Sequence, residues 1–266
     1  SLYAKNSYFN RFSSRLAYDS ELYDWLDFRA SAAYTNSKSN RLTAGTSYTN
    51  PFQWTRSIAP IYPIYKTGVN GELIKDQLGA PIYDFGDRVN GVNEGRMYGA
   101  ATNPVATQML DRDTYQNDYV VLNSGLDVKL PYNFVFSTTI GLSGDFSRND
   151  DFTTPTGGSG LAYNGIGYKS RVNTKEITWN QILKWDTRFS NDLGLQAMLG
   201  HEVFDYNTNI ITGEKSNFLD PNSSEWNNAA KVSSLTSYNR TYNVEGYFAQ
   251  LTADYKDKYY FSSSYR

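Results

Sequence analysis

Few side chains of this sequence could carry covalent or metal chemistry. The 266 residues contain one histidine, His201, and no cysteine. A lone histidine beside Glu202 cannot supply a multi-histidine metal site, and no serine, histidine and aspartate follow the order of a catalytic triad. Without cysteine there is no thiol nucleophile, thiolate metal site or disulfide. We therefore expect no enzymatic activity and no cofactor.

Two polar segments resemble ligand-binding motifs only superficially. Asp145, Asp150 and Asp151 lie close together in the sequence, and oxygen-rich clusters can hold calcium. Their spacing lacks the EF-hand pattern, so we interpret them as part of a solvated loop. The glycine-rich run 157–160 lacks the Lys-Ser/Thr ending of a phosphate-binding loop, which favours flexibility.

Aromatic and charged side chains are mixed in the first long polar segment. Such mixtures stack on sugar rings or clamp peptide groups, and they also pack a loop onto itself or onto a partner protein. The candidate substrate-binding residues are Trp54, Arg56, Tyr62, Tyr65, Arg96, Tyr98, Asp111 and Arg112.

The elements that must position these residues are β-strands. Apolar and polar residues alternate with a period of two, which places them on opposite faces of a strand. The last stretch shows the pattern, with a charged turn at 256–258. One face there carries Tyr247, Ala249, Leu251, Ala253, Tyr255, Tyr259, Phe261, Ser263 and Tyr265, and the other carries Phe248, Gln250, Thr252, Asp254, Tyr260, Ser262 and Ser264.

About eight strands follow from the same period. Strands are predicted at 8–19, 25–35, 119–130, 134–143, 177–185, 193–204, 247–255 and 259–265. Short links lie near Ser20, Pro131, Asn191 and Asp257, and long loops span about 36–118, 148–172 and 207–240. Every short link falls at one end of the sheet and every long loop at the other, as in an up-and-down barrel with tight periplasmic turns.

The composition agrees with a transmembrane barrel. Mean hydropathy is -0.58, but only every second residue of a barrel strand faces lipid. The chain has 23 Tyr, 14 Phe and 5 Trp, and Tyr255, Tyr259 and Tyr260 would suit an interfacial aromatic girdle. Charge is balanced, so nucleic acid is an unsuitable partner. In such a barrel His201 would lie near the rim, and small inward residues such as Gly200 would suit a wide lumen.

Three sequence motifs resemble the SusC/RagA-type TonB-dependent outer-membrane transporters. They are the run 246–266, centred on Tyr255-Lys256-Asp257-Lys258-Tyr259, the segment Asn103-Pro104-Val105-Ala106, and Leu199-Gly200-His201-Glu202 ending the sixth strand. That family commonly continues past the final arginine with Asp-Gly-Ser-Ser-Arg. The resemblance therefore implies that residues 1–266 are part of a larger plugged barrel, with the plug and the remaining strands elsewhere.

The resemblance also implies a function. Family members import oligosaccharides or oligopeptides across the Gram-negative outer membrane, with energy delivered by TonB through the plug. A SusD-like surface lipoprotein closes over the outer loops, and outer-membrane lipid surrounds the barrel. Three alternatives stay open: a complete small barrel with a structural or adhesive role, an outer-membrane hydrolase, and a soluble all-β sugar-binding module.

Overall fold

The computed structural model describes residues 6–41, 50, 56, 60–86, 102–190, 192–256 and 258–266. Eight strands account for most of them: β1 Tyr8–Tyr23, β2 Leu26–Asn40, β3 Arg112–Leu130, β4 Phe134–Thr153, β5 Ile166–Ser190, β6 Leu193–Phe218, β7 Ala229–Tyr255 and β8 Tyr259–Tyr265. A short helix, α1, spans Pro104–Leu110. Within these residues, no helix has the length and apolar character needed to cross a membrane.

The strands form one sheet in the order of the sequence. Each is antiparallel to its neighbours, from β1 at one edge to β8 at the other. This arrangement confirms the predicted all-β, up-and-down fold of a barrel segment with about eight strands. The sheet is open, because β1 and β8 lie at its two edges and do not pair with each other.

The strands are longer than the sequence predicted. The loop placed at 148–172 is limited to residues 154–165, and the loop placed at 207–240 is limited to residues 219–228. The first loop covers residues 41–111 rather than 36–118, and the first short link is Asp24–Trp25 rather than the segment near Ser20. These boundaries were wrong because the hydrogen-bonded ladder continues where both faces are polar, and hydrophobic alternation stops there.

Short and long links divide between the two ends of the sheet as predicted. On the turn side, Pro131 opens a three-residue turn in which Tyr132 and Asn133 have positive φ angles of 63° and 65°. The link between β5 and β6 and the link between β7 and β8 are also tight. The three longer connections all lie at the opposite end, which we call the outer end.

The pairing register sorts the side chains onto two faces. We call the face that carries the apolar residues the apolar face; on β4 it consists of Phe134, Phe136, Thr138, Ile140 and Leu142. The register aligns these with Leu126, Val128 and Leu130 of β3 and with Ile177, Trp179, Leu183 and Trp185 of β5. The opposite face, which we call the polar face, carries Ser137, Thr139, Gly141, Ser143 and Asp145 on the same strand. The predicted alternation is therefore confirmed across neighbouring strands.

The apolar band runs obliquely across the hydrogen-bonded rows. The band is the part of the apolar face that carries apolar side chains, and it ends toward the outer end at Tyr34 on β2 and at Tyr247 on β7. A row is a series of directly paired residues across the strands. The row that starts at Tyr34 reaches β7 at Thr241, which is six residues from Tyr247. On the turn side, the band ends at Leu26 on β2 and at Tyr255 on β7. The row that starts at Leu26 reaches β7 six residues before Tyr255, so the offset is the same at both boundaries. Six residues are about 20 Å along a strand, and five strand spacings are about 24 Å. A tilt of about 40° follows, within the range of membrane barrels.

Candidate functional site: the polar face and the outer loops

The polar face contains grooves. One groove has a volume of about 590 Å³ and is bordered by strands β1 to β6. Its lining comes from polar-face residues that include Arg11, Asn117, Asp145, Glu176 and Tyr206. A second groove of about 270 Å³ continues toward the turn side along Arg15, Asp19 and Arg29. A curved sheet with a polar inner surface and an apolar outer surface is the arrangement that a barrel wall requires.

Ion pairs cross the strands of the polar face. Arg29 lies 2.6 Å from Asp127, Lys129 lies 3.2 Å from Asp27, and Arg188 lies 3.2 Å from Asp254. Exposed pairs of this kind contribute only about 0–1 kcal/mol each. Their position is more informative than their energy. Charged side chains are costly in contact with hydrocarbon, so the face that carries them is the one suited to contact with water.

A fourth ion pair spans two strand spacings. Glu202 on β6 pairs with Arg266, which follows β8. Gly246 on β7 lies between them, directly opposite Glu202 in the register. A Cβ atom at Gly246 would lie 3.9 Å from Glu202 Oε1, which is an ordinary van der Waals contact, so the ion pair does not require a glycine there. Within the segment 246–266, Arg266 therefore connects the end of β8 to β6.

Asn103 holds the first outer loop together. Its Nδ2 donates to the carbonyl oxygens of Ile64 and Asp84 at 2.8 and 2.9 Å. Its Oδ1 accepts from the N–H groups of Val105 and Ala106 at 3.2 and 3.0 Å, which caps α1. The residue is 3% exposed, so all four hydrogen bonds are shielded from water. The sequence feature that could have indicated this capping role is an asparagine directly before a proline, because proline is common at the first position of a helix.

Residues 60–86 form a small folded unit beside Asn103. Bridges pair Tyr65 with Tyr83, Thr67 with Leu73 and Lys75 with Pro81. The unit contacts the second loop through Phe85, which is buried, because a side chain at Gly157 would collide with the Phe85 ring. Sequence analysis assigned Gly157 to flexibility, whereas the structure uses it for close packing.

The outer ends of β4, β5 and β6 share a small apolar core. Phe152 and Phe218 meet edge to face, with ring centroids 5.1 Å apart, and Ala229 completes the cluster. A Cβ at Gly167 would lie 2.6 Å from the Phe218 ring, so the glycine admits that ring over the strand. Trp226 Nε1 donates to the Gly167 carbonyl at 3.0 Å. The second and third loops are thereby fixed to the strand ends.

The predicted substrate-binding residues occupy different environments. Trp54, Arg96 and Tyr98 lie outside the described residues. Arg56 is exposed and Tyr62 is half-buried. Tyr65 packs against Tyr83 with ring centroids 5.0 Å apart. Arg112 is exposed at the start of β3, opposite Phe152. Their role in substrate binding stays a prediction.

Asp111 is the predicted site residue with the most distinctive environment. It follows α1, and its Oδ1 accepts a hydrogen bond of 2.8 Å from the Thr154 amide, joining the first and second loops. Burial raises the pKa of Asp111 from 3.8 to about 7, the Asp151 carboxylate adds to the rise, and the Thr154 hydrogen bond opposes it. This carboxyl group therefore changes charge near neutral pH.

The three aspartates interpreted as a loop cluster lie within β4. Asp145 and Asp151 are on the polar face, whereas Asp150 is on the apolar-face side and pairs with Arg171 at 2.8 Å. A strand alternates its side chains, so the three carboxylates cannot surround one ion. The loop interpretation was wrong because β4 continues to Thr153.

His201 lies in the middle of β6 rather than at the rim of the sheet. The segment 199–202 does not end the strand, because β6 continues to Phe218. His201 is on the apolar face, close to the outer boundary of the band, and its ring stacks on Tyr247 with centroids 4.6 Å apart. Its Nδ1 lies 2.6 Å from Gln181 Oε1 and its Nε2 lies 3.0 Å from Glu245 Oε1. These contacts satisfy the ring nitrogens without a metal ion.

Comparison with solved structures finds the same fold within larger proteins. A structure of the RagAB peptide transporter matches 97% of this chain at 13% identity, with a TM-score of 0.70. The RagAB peptide importer in its closed-closed and open-open states gives TM-scores of 0.69 and 0.71 at 15% and 14% identity. The chain spans 27% of the length of each matched chain.

No protein-family model and no curated protein sequence matches the chain. At such low identities, the structural matches establish a shared fold and leave activity and substrate to be argued from the residues.

Proposed function

We propose that this chain is part of the barrel domain of a TonB-dependent importer of the SusC/RagA type in a Gram-negative outer membrane. The observation that carries the proposal is the sheet itself. Its strands tilt by about 40° from the normal to an apolar band, its polar face contains grooves, and it superposes on a peptide transporter over 97% of its length.

The open sheet supports a barrel with further strands. Lipid offers no partners for backbone N–H and C=O groups, so a spanning sheet must close. The outer edges of β1 and β8 expose such groups. In the proposal, other strands of a larger barrel pair with these edges, and a plug fills the lumen. TonB transmits energy through that plug.

The proposed cargo is an oligopeptide or an oligosaccharide too large for a porin. In this proposal, the grooves on the polar face and the loop residues Arg56, Tyr62, Tyr65 and Asp111 would contact such a cargo. Arg112 begins β3 on the apolar-face side and would not face the grooves. The solved neighbours are peptide importers, which favours an oligopeptide. The folded outer loops provide a surface against which a SusD-like lipoprotein would close.

Uptake by living cells tests this function. Cells that contain the full-length protein are compared with cells from which it is deleted, using fluorescent peptides and oligosaccharides of graded length. We expect accumulation of one class only when the protein is present, and its loss when a protonophore dissipates the energy supply of TonB. Equal accumulation in both strains would overturn the importer and leave a complete small barrel with a structural or adhesive role.

A further inference from the structure

Besides Arg112 and Lys215, five cations of the described strands extend from the apolar face beyond the outer boundary of the apolar band. They are Lys38 on β2, Arg148 on β4, and Lys169, Arg171 and Lys175 on β5, and we call them the cationic patch. One hydrogen-bonded row passes through Lys38, Gln116, Arg148 and Arg171. The cations therefore lie on adjoining parts of one surface rather than at scattered sites.

The arrangement of the patch is electrostatically unfavourable by itself. Arg148 and Arg171 are directly opposite on neighbouring strands, and like charges in that position destabilise a sheet. Asp150 pairs with Arg171 at 2.8 Å, and Glu225 pairs with Lys169 at 2.8 Å. Asp118 on β3 and Asp205 on β6 also lie on this face, so the five cations exceed the four neighbouring acids by one.

Three of the cations are free to bind an anion. Asp118, which lies on the same face near Arg148, accepts hydrogen bonds from Tyr34 and Asn36 at 2.6 and 2.7 Å. In the part of the chain that the structure describes, no hydrogen bond or ion pair engages Lys38, Arg148 or Lys175, although the Arg148 charge attracts the nearby Asp118 carboxylate. All three residues are exposed.

The height of the patch relative to the apolar band specifies its ligand. On β5 the last apolar residue is Ile177, with Lys175 two residues and Arg171 six residues farther out. With a rise of about 3.3 Å per residue and a tilt of about 40°, the two cations lie about 5 Å and about 15 Å above the band. These levels correspond to the polar headgroup layer and the region just beyond it.

We propose that the cationic patch binds the phosphate groups of lipopolysaccharide, the phosphorylated glycolipid of the outer leaflet. This inference rests on the proposed outer-membrane location. Arginine forks bind phosphate in a bidentate manner, and lysines add point charges. A phosphate beside Arg148 would supply that side chain with a hydrogen-bonded anion, which Arg171 already has in Asp150. The acyl chains of the same lipid would lie along the apolar face directly below, so one occupant matches both surfaces.

A triple variant of the full-length protein tests the inference. Arg148→Gln, Arg171→Gln and Lys175→Gln remove three patch charges. The control carries Lys75→Gln, Lys231→Gln and Arg240→Gln, which remove the same charge from exposed positions elsewhere. Each protein is delipidated in mild detergent and titrated with bisphosphorylated lipid A, with dephosphorylated lipid A and with inorganic phosphate.

We expect the parent protein and the control to bind bisphosphorylated lipid A at least about tenfold more tightly than the dephosphorylated form, and more weakly at high salt. The triple variant should lose this preference, and inorganic phosphate should compete only weakly. Equal binding of both lipids by the parent protein, or an unchanged preference in the triple variant, would overturn the inference. If cells take up the cargo but the purified protein binds both forms of lipid A equally, the lipid site is overturned and the importer stands. If the protein prefers bisphosphorylated lipid A but cells show no uptake, the importer is overturned and the lipid site stands.

Discussion

Ile140→Lys is expected to destabilise the membrane-inserted protein by about 2–4 kcal/mol. Ile140 lies on the apolar face of β4, directly opposite Ser124 and Trp179 and well inside the apolar band. A lysine there would place an ammonium group against the hydrocarbon interior, where no partner is available. The full-length variant, unfolded from phospholipid vesicles by urea, should show a midpoint well below that of the parent protein.

Ser137→Lys is the matched control for this experiment. Ser137 lies on the polar face of the same strand and is directly opposite Asp127. An introduced lysine would extend into the aqueous lumen beside a carboxylate, so its effect on stability should be within about 0.5 kcal/mol. If both lysines were tolerated equally, or if Ser137→Lys were the more harmful change, the assignment of the two faces would be incorrect.

Asn103→Ala is expected to open the first outer loop while leaving the barrel wall folded. The substitution removes four hydrogen bonds from a buried position and leaves two carbonyls and two N–H groups without these partners. At about 1 kcal/mol for each bond, local opening becomes easier by about 3–4 kcal/mol. Limited proteolysis should cleave within residues 60–110 at least about 100-fold faster, with the strand region still protected.

Two further variants separate the causes of this effect. Asn103→Asp retains the two accepted hydrogen bonds that cap α1, but it directs a carboxylate at the carbonyls of Ile64 and Asp84. The folded unit of residues 60–86 should therefore detach while the helix cap remains. Asn70→Ala changes an exposed asparagine in the same loop and should resemble the parent protein. Unchanged resistance of Asn103→Ala would show that other contacts hold the loop.

Sequence patterns were reliable inside the apolar band. The alternation in β3, β4 and β5 identified the strands, the side chains of the apolar face and the turn at Pro131, because side chains alternate between the two faces of a strand. Outside the band both faces are polar, so the alternation is absent. The strand extensions to Thr153 and Phe218 were therefore missed.

The candidate site was only partly accessible from sequence. Aromatic and charged residues of the first loop could be proposed as substrate contacts, but no pattern showed that Asp111 would join Thr154 or that Tyr65 would pack on Tyr83. These contacts depend on how separate loops meet at one end of the sheet. The opposition of Arg148 and Arg171 likewise depends on the pairing register, which alternation alone does not determine.

The most direct test of the account is a nitroxide scan along β4 in native outer membranes. Residues 1–266 contain no cysteine, so single cysteines at positions 136–142 of the full-length protein, with any others replaced, can each carry the probe. Collision rates with lipid-soluble oxygen and with a water-soluble nickel complex are then measured. The account predicts that oxygen reaches positions 136, 138, 140 and 142 preferentially, whereas positions 137, 139 and 141 are protected from lipid. Equal exposure of both sets to the nickel complex would contradict a membrane barrel.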